Sequence, residues 1–516
     1  MANIKLFNTQ QAALPACDSL NAAQAPAYAY TAKHQLAQLA ATGCLNQTFY
    51  ASAESQLDNV LQLVAELDSL YVAKAALYAR KKGHMKDMPA LMLAALTAQR
   101  SALVPALFEQ VVDSGKMLRN FVQILRSGVT GRKSLGSQPK RLVQNWLNNA
   151  SERQLLQASI GNQPSLADVV KMVHPKPTEA WREAFFAWLI GKPVDVQALP
   201  ELTRSLLAFR SGASQEVPQV PFQLLGNETL TKEQWATQAR SMGWQALRMN
   251  LNTLARHGAF QVPGCAEYVA ARLADADAVA KARVYPYQLL AAYRMTGDEV
   301  PQVVREALQD ALEMSLANVP ALQGSVIVCP DVSGSMHSPV TGYRQGATTA
   351  VRCIDVAALL AAAVLRKQPA ARVMPFEMQV VDIQLNPRDS VMSNAEKLAA
   401  IGGGGTSCSA PLEKLANARA KVDTLIMVSD NESWMDARRR GATETMRQWE
   451  RIKQVNPKAR LVCIDMQPGF WTQAPDREDI LNVGGFSDSV FDVIAQFTAG
   501  HYGAQHWVKA IEAMEL

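Results

Sequence analysis

The spacing of apolar residues changes near residue 320, and this change constrains the fold more than any other feature of the sequence. From about Tyr28 to Leu316, apolar residues recur at the helical period, with short Gly and Pro interruptions between runs. After Pro320, short apolar runs typical of buried parallel strands alternate with helix-like segments. We therefore predict two domains. Residues 1–320 form α-helical HEAT-like repeats, and residues 321–516 form an α/β Rossmann-like domain.

Four strands and four helices are predicted after residue 320. The predicted strands are Ser325–Cys329, Ala371–Leu385, Thr424–Ser429 and Arg460–Asp465. The predicted helices are Ala347–Leu365, Ser409–Ala420, Glu444–Gln454 and Ser489–Phe497. Strands joined through helices form a parallel sheet, so the loops that follow the strands meet at one edge, where such sheets bind ligands.

The composition indicates a large folded protein but does not indicate its function. With 516 residues, 48% of them hydrophobic, the chain can bury the cores of several domains. Its seven cysteines contain no C-x-x-C pair, and we expect them to be reduced and mostly buried. No window reaches the roughly 18 apolar residues of a membrane span. We expect a cytoplasmic protein with no membrane partner.

Oxygen-bearing side chains follow two of the predicted strands. The first strand runs into the motif D-x-S-G-S, a later strand ends at an aspartate, and a run of four glycines leads to a threonine. Carboxylate and hydroxyl oxygens suit Mg²⁺, Mn²⁺ or Ca²⁺ rather than Zn²⁺. We therefore predict a divalent metal site, with Mg²⁺ as the expected ion. Its ligands are Asp331, Ser333, Ser335, Thr406 and Asp430.

Motifs for catalysis are missing from the sequence. No lysine follows Gly402–Gly405 as a Walker loop requires, and neither H-E-x-x-H nor G-x-S-x-G occurs. The seven histidines do not cluster in the sequence. His337 lies beside the metal loop, but a role in proton transfer would need a substrate site that the sequence does not indicate. We predict that the protein is not an enzyme.

Positive charge is concentrated in the helical region. Between Asp113 and Lys176, ten Lys and Arg residues outnumber three Asp and Glu residues, a local net charge of +7 against +5 for the whole chain. The loop from Arg132 to Arg141 is basic and polar, with Trp146 close behind it. Such a loop could follow a phosphate backbone, or it could simply be a solvated charged loop.

Several motifs resemble those of Ro ribonucleoproteins. The stretches Gly131–Lys133, Pro139–Trp146, Asp168–Pro177 and Met242–Asn250 are similar to the TROVE module of that family. The motif D-x-S-G-S, the threonine loop and the distal aspartate resemble the metal-ion-dependent adhesion site of von Willebrand factor A domains. In Ro proteins an A domain likewise follows the TROVE module. The resemblance covers nearly the whole chain.

The resemblance implies a fold and a function. It implies a ring of helical repeats closed by the A domain, with a basic outer face that binds small noncoding Y-type RNA. A central hole would accept single-stranded 3′ ends of misfolded RNA, and an exoribonuclease would be a partner in RNA quality control. The protein is expected to be monomeric, and one metal coordination position is left for an acidic group of a partner. The residues carried over as RNA contacts are Arg132, Lys133, Lys140, Arg141, His174 and Lys176.

Other interpretations stay open at this point. Gln157 and Gly161 stand where animal relatives have basic residues, which weakens the case for Y-type RNA. His174 before a proline could be a helix cap or a buried hydrogen-bond donor. The tryptophans Trp146, Trp181, Trp188 and Trp244 could stack on bases, but their helical spacing favours the core. The whole chain could instead be a metal-dependent protein-interaction scaffold, for example an A-domain adaptor of an AAA+ ATPase, and a metal-dependent nuclease is the weakest alternative.

Overall fold

The computed structural model describes most of the chain and divides it into two compact units. The described residues are 14–43, 45–48, 50–225, 230–282, 284, 286–343, 351–433, 442–485, 490–500, 503 and 505–516. One unit consists of residues 1–57, 272–296 and 305–510, and the other of residues 58–271, 297–304 and 511–516. We call them the α/β unit and the helical unit.

Helices dominate the chain up to residue 315, as the apolar period predicted. Two short strands precede them, β1 (Ser19–Leu20) and β2 (Pro26–Ala29). The first nine helices are α1 (Ala32–Thr42), α2 (Ala53–Glu66), α3 (Ser69–Lys81), α4 (Asp87–Ala98), α5 (Val104–Val111), α6 (Gly115–Ser127), α7 (Ser137–Asn149), α8 (Glu152–Ala158) and α9 (Leu166–Val173). The next nine are α10 (Ala180–Leu189), α11 (Glu201–Arg210), α12 (Lys232–Ser241), α13 (Trp244–Met249), α14 (Leu251–Arg256), α15 (Cys265–Leu273), α16 (Ala276–Ala282), α17 (Pro286–Met295) and α18 (Gln302–Ser315).

Local sequence signals set the ends of helices in the helical unit, and apolar faces hold them together. In α6 the Ser114 hydroxyl accepts a hydrogen bond from the Met117 N–H, and Gly128 ends the helix with φ at +91°. Neighbouring helices pack through buried aromatic and aliphatic side chains, such as Phe108 of α5 edge-on to Phe121 of α6 at 5.3 Å. The helices α5 and α6 therefore bury their apolar faces against each other.

A parallel sheet forms the centre of the α/β unit. Its strands, in spatial order, are β4 (Arg372–Val373), β3 (Val326–Pro330), β5 (Thr424–Ser429), β6 (Arg460–Asp465) and β8 (Ile480–Gly484), and each pairs in parallel with its neighbour. The predictions for β5 and β6 are confirmed to the residue, and that for β3 to within one residue. The predicted strand Ala371–Leu385 is wrong beyond Val373. The strand β8 was not predicted.

Helices cover both faces of this sheet. They are α19 (Cys353–Lys367), α20 (Val391–Ala399), α21 (Ala410–Asn417), α22 (Glu444–Val455) and α23 (Val490–Thr498). Helix α24 (His506–Glu512) follows them in the chain. Leu425 and Met427 of β5 lie in one core with Trp449 of α22. Ile426, between them in the chain, faces the opposite side with Val364 of α19. This alternation explains why β5 reads as a continuous apolar run.

Residues before position 57 complete the α/β unit. Strand β2 pairs antiparallel with β7 (Trp471–Thr472), and Tyr28 of β2 lies in the sheet's core. Helix α1 packs against β8, where Gln38 donates to the Asn482 carbonyl oxygen. The sequence boundary at residue 320 marks the change from helices to strands, but the compact unit also includes earlier segments of the chain.

Two expectations from composition concern the described residues. Of the six cysteines found there, all are free thiols and all but Cys17 are buried, whereas Cys44 lies outside the described residues. Within the same part of the chain, no helix is both long enough and apolar enough to cross a membrane.

Candidate metal centre and candidate nucleic-acid interface

The loop after β3 places an aspartate and two serines at the carboxyl end of the sheet. The Asp331 N–H donates to the Val428 carbonyl oxygen at 2.8 Å, so the loop starts in contact with β5. Asp331 Oδ1 accepts from the Ser333 N–H at 2.8 Å, and Oδ2 accepts from the Ser429 hydroxyl at 2.7 Å. The hydroxyl oxygens of Ser333 and Ser335 lie 3.4 Å apart. Asp331 and Ser333 are fully buried.

The glycine loop lies directly against this loop. The Gly334 N–H donates to the Gly404 carbonyl oxygen at 3.0 Å, and Glu377 Oε2 accepts from the Gly404 N–H at 2.9 Å. Gly402 has φ at +127°, and a Cβ there would collide with the Val332 carbonyl oxygen. Only glycine permits this approach. It brings the loop that carries the buried Thr406 to the edge where Asp331 lies.

Asp430 reaches the same edge from β5. It directly follows the strand and is buried. Its Oδ1 accepts from the Glu432 N–H at 3.4 Å, and its side chain is hydrogen-bonded to Ser335. The Tyr50 hydroxyl donates to Asp430 Oδ2 at 3.5 Å. Sequence reasoning missed Tyr50, because no motif links it to Asp430, which lies 380 positions away.

The two aspartates perturb each other. Burial, followed by repulsion from the Asp430 carboxylate, raises the pKa of Asp331 to about 7. Burial also raises the pKa of Asp430. Two buried carboxylates that repel each other are stable as anions only beside a cation, so the electrostatics favour a bound metal ion.

The donor set fits a hard divalent cation. It combines two carboxylates with Ser and Thr hydroxyls, the oxygen ligands that Mg²⁺ or Mn²⁺ accepts. In the described part of the chain, no group of three or more His, Cys, Asp and Glu side chains is placed to hold a metal. A site of the zinc type is therefore not indicated there. The predicted ligands are Asp331, Ser333, Ser335, Thr406 and Asp430.

His337 takes part in an ion-pair network beside the metal loop. Its Nδ1 lies 2.9 Å from a guanidinium nitrogen of Arg352. Two other guanidinium nitrogens of Arg352, Nε and Nη2, donate to the Asp355 carboxylate at 3.1 and 2.8 Å. Burial, and then the Arg352 charge, lower the pKa of His337. The ring is therefore a neutral partner of the arginine, which is a structural role.

In the helical unit, α7 fixes the loop that follows α9. Gln144 donates to the carbonyl oxygens of Val173 and His174 at 2.6 and 3.3 Å. Asn148 donates to the Lys176 carbonyl oxygen at 3.4 Å. Lys140 lies one helical turn before Gln144 and shares its face. The structure thus brings together two basic motifs that lie more than thirty residues apart in the sequence.

A cavity of about 660 Å³ lies beside that loop, between α9 and α10. Phe186 and Ile190 line its wall, and Glu183 is its acidic residue. Its basic residues are Lys171, His174, Lys176 and Lys192. Lys192 was missed as a site residue because it lies beyond the basic segment between Asp113 and Lys176. A basic cavity with an aromatic wall can accept a phosphate together with a base.

The six predicted RNA contacts differ in exposure. Lys133, Arg141, His174 and Lys176 are exposed, and Lys140 is partly exposed. His174 is the C-cap residue of α9, with φ at +52° and its N–H bonded to the Val170 carbonyl oxygen. Its backbone therefore caps the helix, while its exposed side chain is not a buried donor.

Arg132 has a structural role that the sequence did not indicate. Its guanidinium donates to the carbonyl oxygens of Thr97, Ser134 and Leu135 at 3.1, 3.1 and 2.9 Å. These bonds fold the loop around Gly136 and tie it to α4. Most of its donors are thus used within the protein, and it positions Lys133 and α7.

The sequence also raised questions about the tryptophans and about the uncharged positions Gln157 and Gly161. Trp244 is buried, as its spacing suggested, whereas Trp146, Trp181 and Trp188 are only partly buried. The Trp146 indole N–H donates to the Val112 carbonyl oxygen at 3.0 Å. Gln157 and Gly161 are exposed. The guanidinium of Arg119 lies against Gly161, so a positive charge is present beside that position.

Comparisons with known proteins agree with this architecture. Residues 325–498 match the Ro60 vWA domain family. The chain is 27% identical to the "RNA-binding protein RO60" of Deinococcus radiodurans over 511 residues, covering 92% of this chain and 94% of that protein. The predicted resemblance to Ro proteins is confirmed. Residues 325–498 of the α/β unit are thus similar to the A domain of Ro60 proteins.

Two other comparisons cover very different shares of the chain. The crystal structure of the Deinococcus radiodurans Ro (Rsr) protein matches with a TM-score of 0.65 at 24% identity, covering 92% of this chain and all of that one. The fold is therefore that of a Ro protein, with a helix-rich region before a von Willebrand A domain. The "RNA-binding protein RO60" of Caenorhabditis elegans is 22% identical over 240 residues, which is 44% of this chain and 36% of that protein.

Proposed function

We propose that this protein binds RNA through the basic surface formed by α7 and the loop after α9. The observation that carries the proposal is the set of hydrogen bonds from Gln144 and Asn148 to that loop. They hold α7, which carries Lys140 and Arg141, against the loop that carries His174 and Lys176, and this loop lines a basic cavity. Clustered Lys and Arg side chains bind phosphates and release counterions, which is the main source of affinity for nucleic acids.

The named relatives support the same proposal. The Deinococcus protein that resembles nearly the whole chain is called an RNA-binding protein. We extend the proposal to the finer function that the Ro resemblance implies. The ligands are small Y-type noncoding RNAs and misfolded RNAs with single-stranded 3′ ends, and an exoribonuclease acts on the bound RNA in quality control. The protein itself binds and presents RNA without catalysing a reaction.

Salt-dependent binding of the full chain to a fluorescent single-stranded RNA tests this function. Removing two phosphate contacts with the double variant Lys140→Ala, Arg141→Ala should weaken binding and reduce the log–log salt slope by about 1.4. The double variant Lys421→Ala, Lys458→Ala removes the same charge from exposed positions of the α/β unit and is the matched control. Equal affinity and equal slope in the two double variants would remove α7 from the interface. No salt-dependent binding by any of the proteins would refute the RNA-binding function.

We also propose that the A domain holds one divalent ion, expected to be Mg²⁺. Asp331, Asp430 and the hydroxyls of Ser333, Ser335 and Thr406 would hold it. The bound ion would neutralise the two carboxylates and attract an acidic group of a partner. A protein-interaction scaffold that works without RNA would show metal-dependent capture of protein and no copurifying nucleic acid, which the RNA-binding experiment distinguishes.

A further inference from the structure

The chain's own N-terminal segment lies over the candidate metal site. Within the α/β unit, the Tyr50 hydroxyl is hydrogen-bonded to Asp430 at 3.5 Å and also to Ser335. These two residues come from different loops and are both predicted metal ligands. The phenol ring is partly buried. Tyr50 therefore bridges the two loops on the outer side of the site.

Further contacts anchor this segment, which we call the Tyr50 segment (residues 45–48 and 50). Asn46 donates its amide N–H to the Thr341 carbonyl oxygen at 2.8 Å. The Gln47 carbonyl oxygen accepts from the Tyr343 N–H, and the two residues form an antiparallel bridge. The segment is thus attached to the A domain at three points, so the position of Tyr50 does not depend on one weak hydrogen bond.

The chemistry of a phenol limits what Tyr50 can do there. Burial, and then the Asp430 charge, raise the pKa of Tyr50 above its ordinary range, so the side chain is neutral and donates its proton to a carboxylate. It is therefore not an anionic ligand for a cation. A neutral ring over the ligands instead excludes water and acidic groups from the ion's outer side.

We propose that the Tyr50 segment closes the outer face of the metal site, so that a carboxylate group reaches the ion only after the segment has lifted. The inference depends on the metal site of the proposed function, and it does not depend on RNA binding. A ligand that binds only the open state has its apparent affinity reduced by the fraction of molecules that are open. Substitutions that release the segment should therefore tighten carboxylate binding.

Manganese relaxometry on the full chain tests this inference. Bound Mn²⁺ relaxes the protons of exchanging water, and acetate displaces that water when it reaches the ion. In the wild type, bound Mn²⁺ should give low relaxivity that responds weakly to acetate. In Tyr50→Ala, relaxivity should rise and acetate should bind about tenfold more tightly, equivalent to the loss of about 1.4 kcal/mol of closing interactions.

Three further variants keep the test decisive. Tyr50→Phe keeps the ring and removes the hydroxyl, and Asn46→Ala weakens the anchor but keeps Tyr50, so both should tighten acetate binding less than Tyr50→Ala does. Tyr343→Ala removes an exposed ring but keeps the backbone N–H that bonds to the Gln47 carbonyl oxygen, so it should match the wild type. Thermal unfolding confirms that each variant is folded.

The outcomes separate this inference from the function it depends on. If bound Mn²⁺ has the same relaxivity and the same acetate affinity in all variants, the closing role is wrong and the metal site is still supported. If no variant binds Mn²⁺, both the metal site and the closing role are wrong. The salt dependence of RNA binding is unaffected in either case.

Discussion

Two aspartates dominate the chemistry of the A domain at the scale of single residues. Asp331 and Asp430 follow neighbouring strands whose register pairs Pro330 with Val428, so their carboxylates meet at one edge. Both are buried, and each disfavours ionisation of the other. A proton or a cation must compensate this repulsion, which is why the site should respond both to pH and to divalent ions.

Stability without metal should fall as pH rises through the titration of Asp331. Its pKa is raised to about 7 in the folded chain, compared with about 3.9 when unfolded. The folded state therefore holds the proton more tightly, and this contribution to stability is lost as pH rises from about 4 to about 7. Between pH 6 and pH 8, Asp331→Asn should remove about 1 kcal/mol of this pH dependence.

Urea unfolding of both proteins in chelator at the two pH values measures the difference. Subtracting the pH dependence of the variant from that of the wild type cancels titrating groups that the two proteins share, such as His506, which is buried and has its pKa lowered to about 4. The same pH dependence in the variant as in the wild type would contradict the assignment. Excess Mg²⁺ should stabilise the wild type at pH 8 and have little effect on the variant.

At the scale of elements, α7 and the loop before it carry two arginines with different roles. Arg132 uses its guanidinium to fold the loop onto α4, whereas Arg141 is exposed on α7. Both are equally basic in sequence, so motif reasoning assigned them the same role. The hydrogen bonds separate a residue that positions the surface from one that can contact a ligand.

Alanine substitutions should reveal this difference. Arg132→Ala should lower the free energy of unfolding of the helical unit by about 1.5–3 kcal/mol, because charged hydrogen bonds to three carbonyl groups, two of them partly buried, are lost. Arg141→Ala should change it by less than about 0.5 kcal/mol. Chemical denaturation followed by circular dichroism measures both values. Equal effects of the two substitutions would show that the loop bonds contribute little in solution.

Prediction of helices and strands from the sequence was correct where the apolar pattern alone distinguished the element. Strands β5 and β6 are buried on both faces, so their apolar runs predicted them correctly. The segment after Val373 has a similar apolar sequence pattern. However, Pro375 has no N–H to donate to a neighbouring strand, and the chain turns away from the sheet after Phe376. Helix α20 and strand β8 were missed although they are as long as α23 and β3. In β8 the buried Asn482 interrupts the apolar run.

At the scale of the whole molecule, the α/β unit is discontinuous in sequence. Strand β2 extends a small sheet with β7, and His34 of α1 lies 2.6 Å from Asp476. Helix α1 packs against β8, the edge strand of the parallel sheet, where it covers backbone groups that would otherwise be open to another chain. The A domain thus depends on segments that precede it by hundreds of residues.

A fragment of residues 321–516 should therefore fail to fold as a stable domain. It lacks Tyr28 and Leu36, both buried in the complete unit, and the burial of such side chains contributes roughly 1.5–3 kcal/mol each to stability. Circular dichroism and limited proteolysis should show a loose or aggregated fragment, and adding a peptide of residues 14–57 should restore protection. Cooperative unfolding of the fragment alone, with the midpoint of the full chain, would contradict this dependence.

The sequence by itself determined the order of helices and strands, the oxygen donors after β3 and β5, and the resemblance to Ro proteins. These features depend on local periodicity and on short motifs, which involve residues close together in the chain. Only the tertiary structure decided that Arg132 is structural, that Tyr50 lies over the metal ligands and that the first residues complete the A domain. Each of these depends on contacts between distant segments, and side-chain spacing along a sequence carries no information about such contacts.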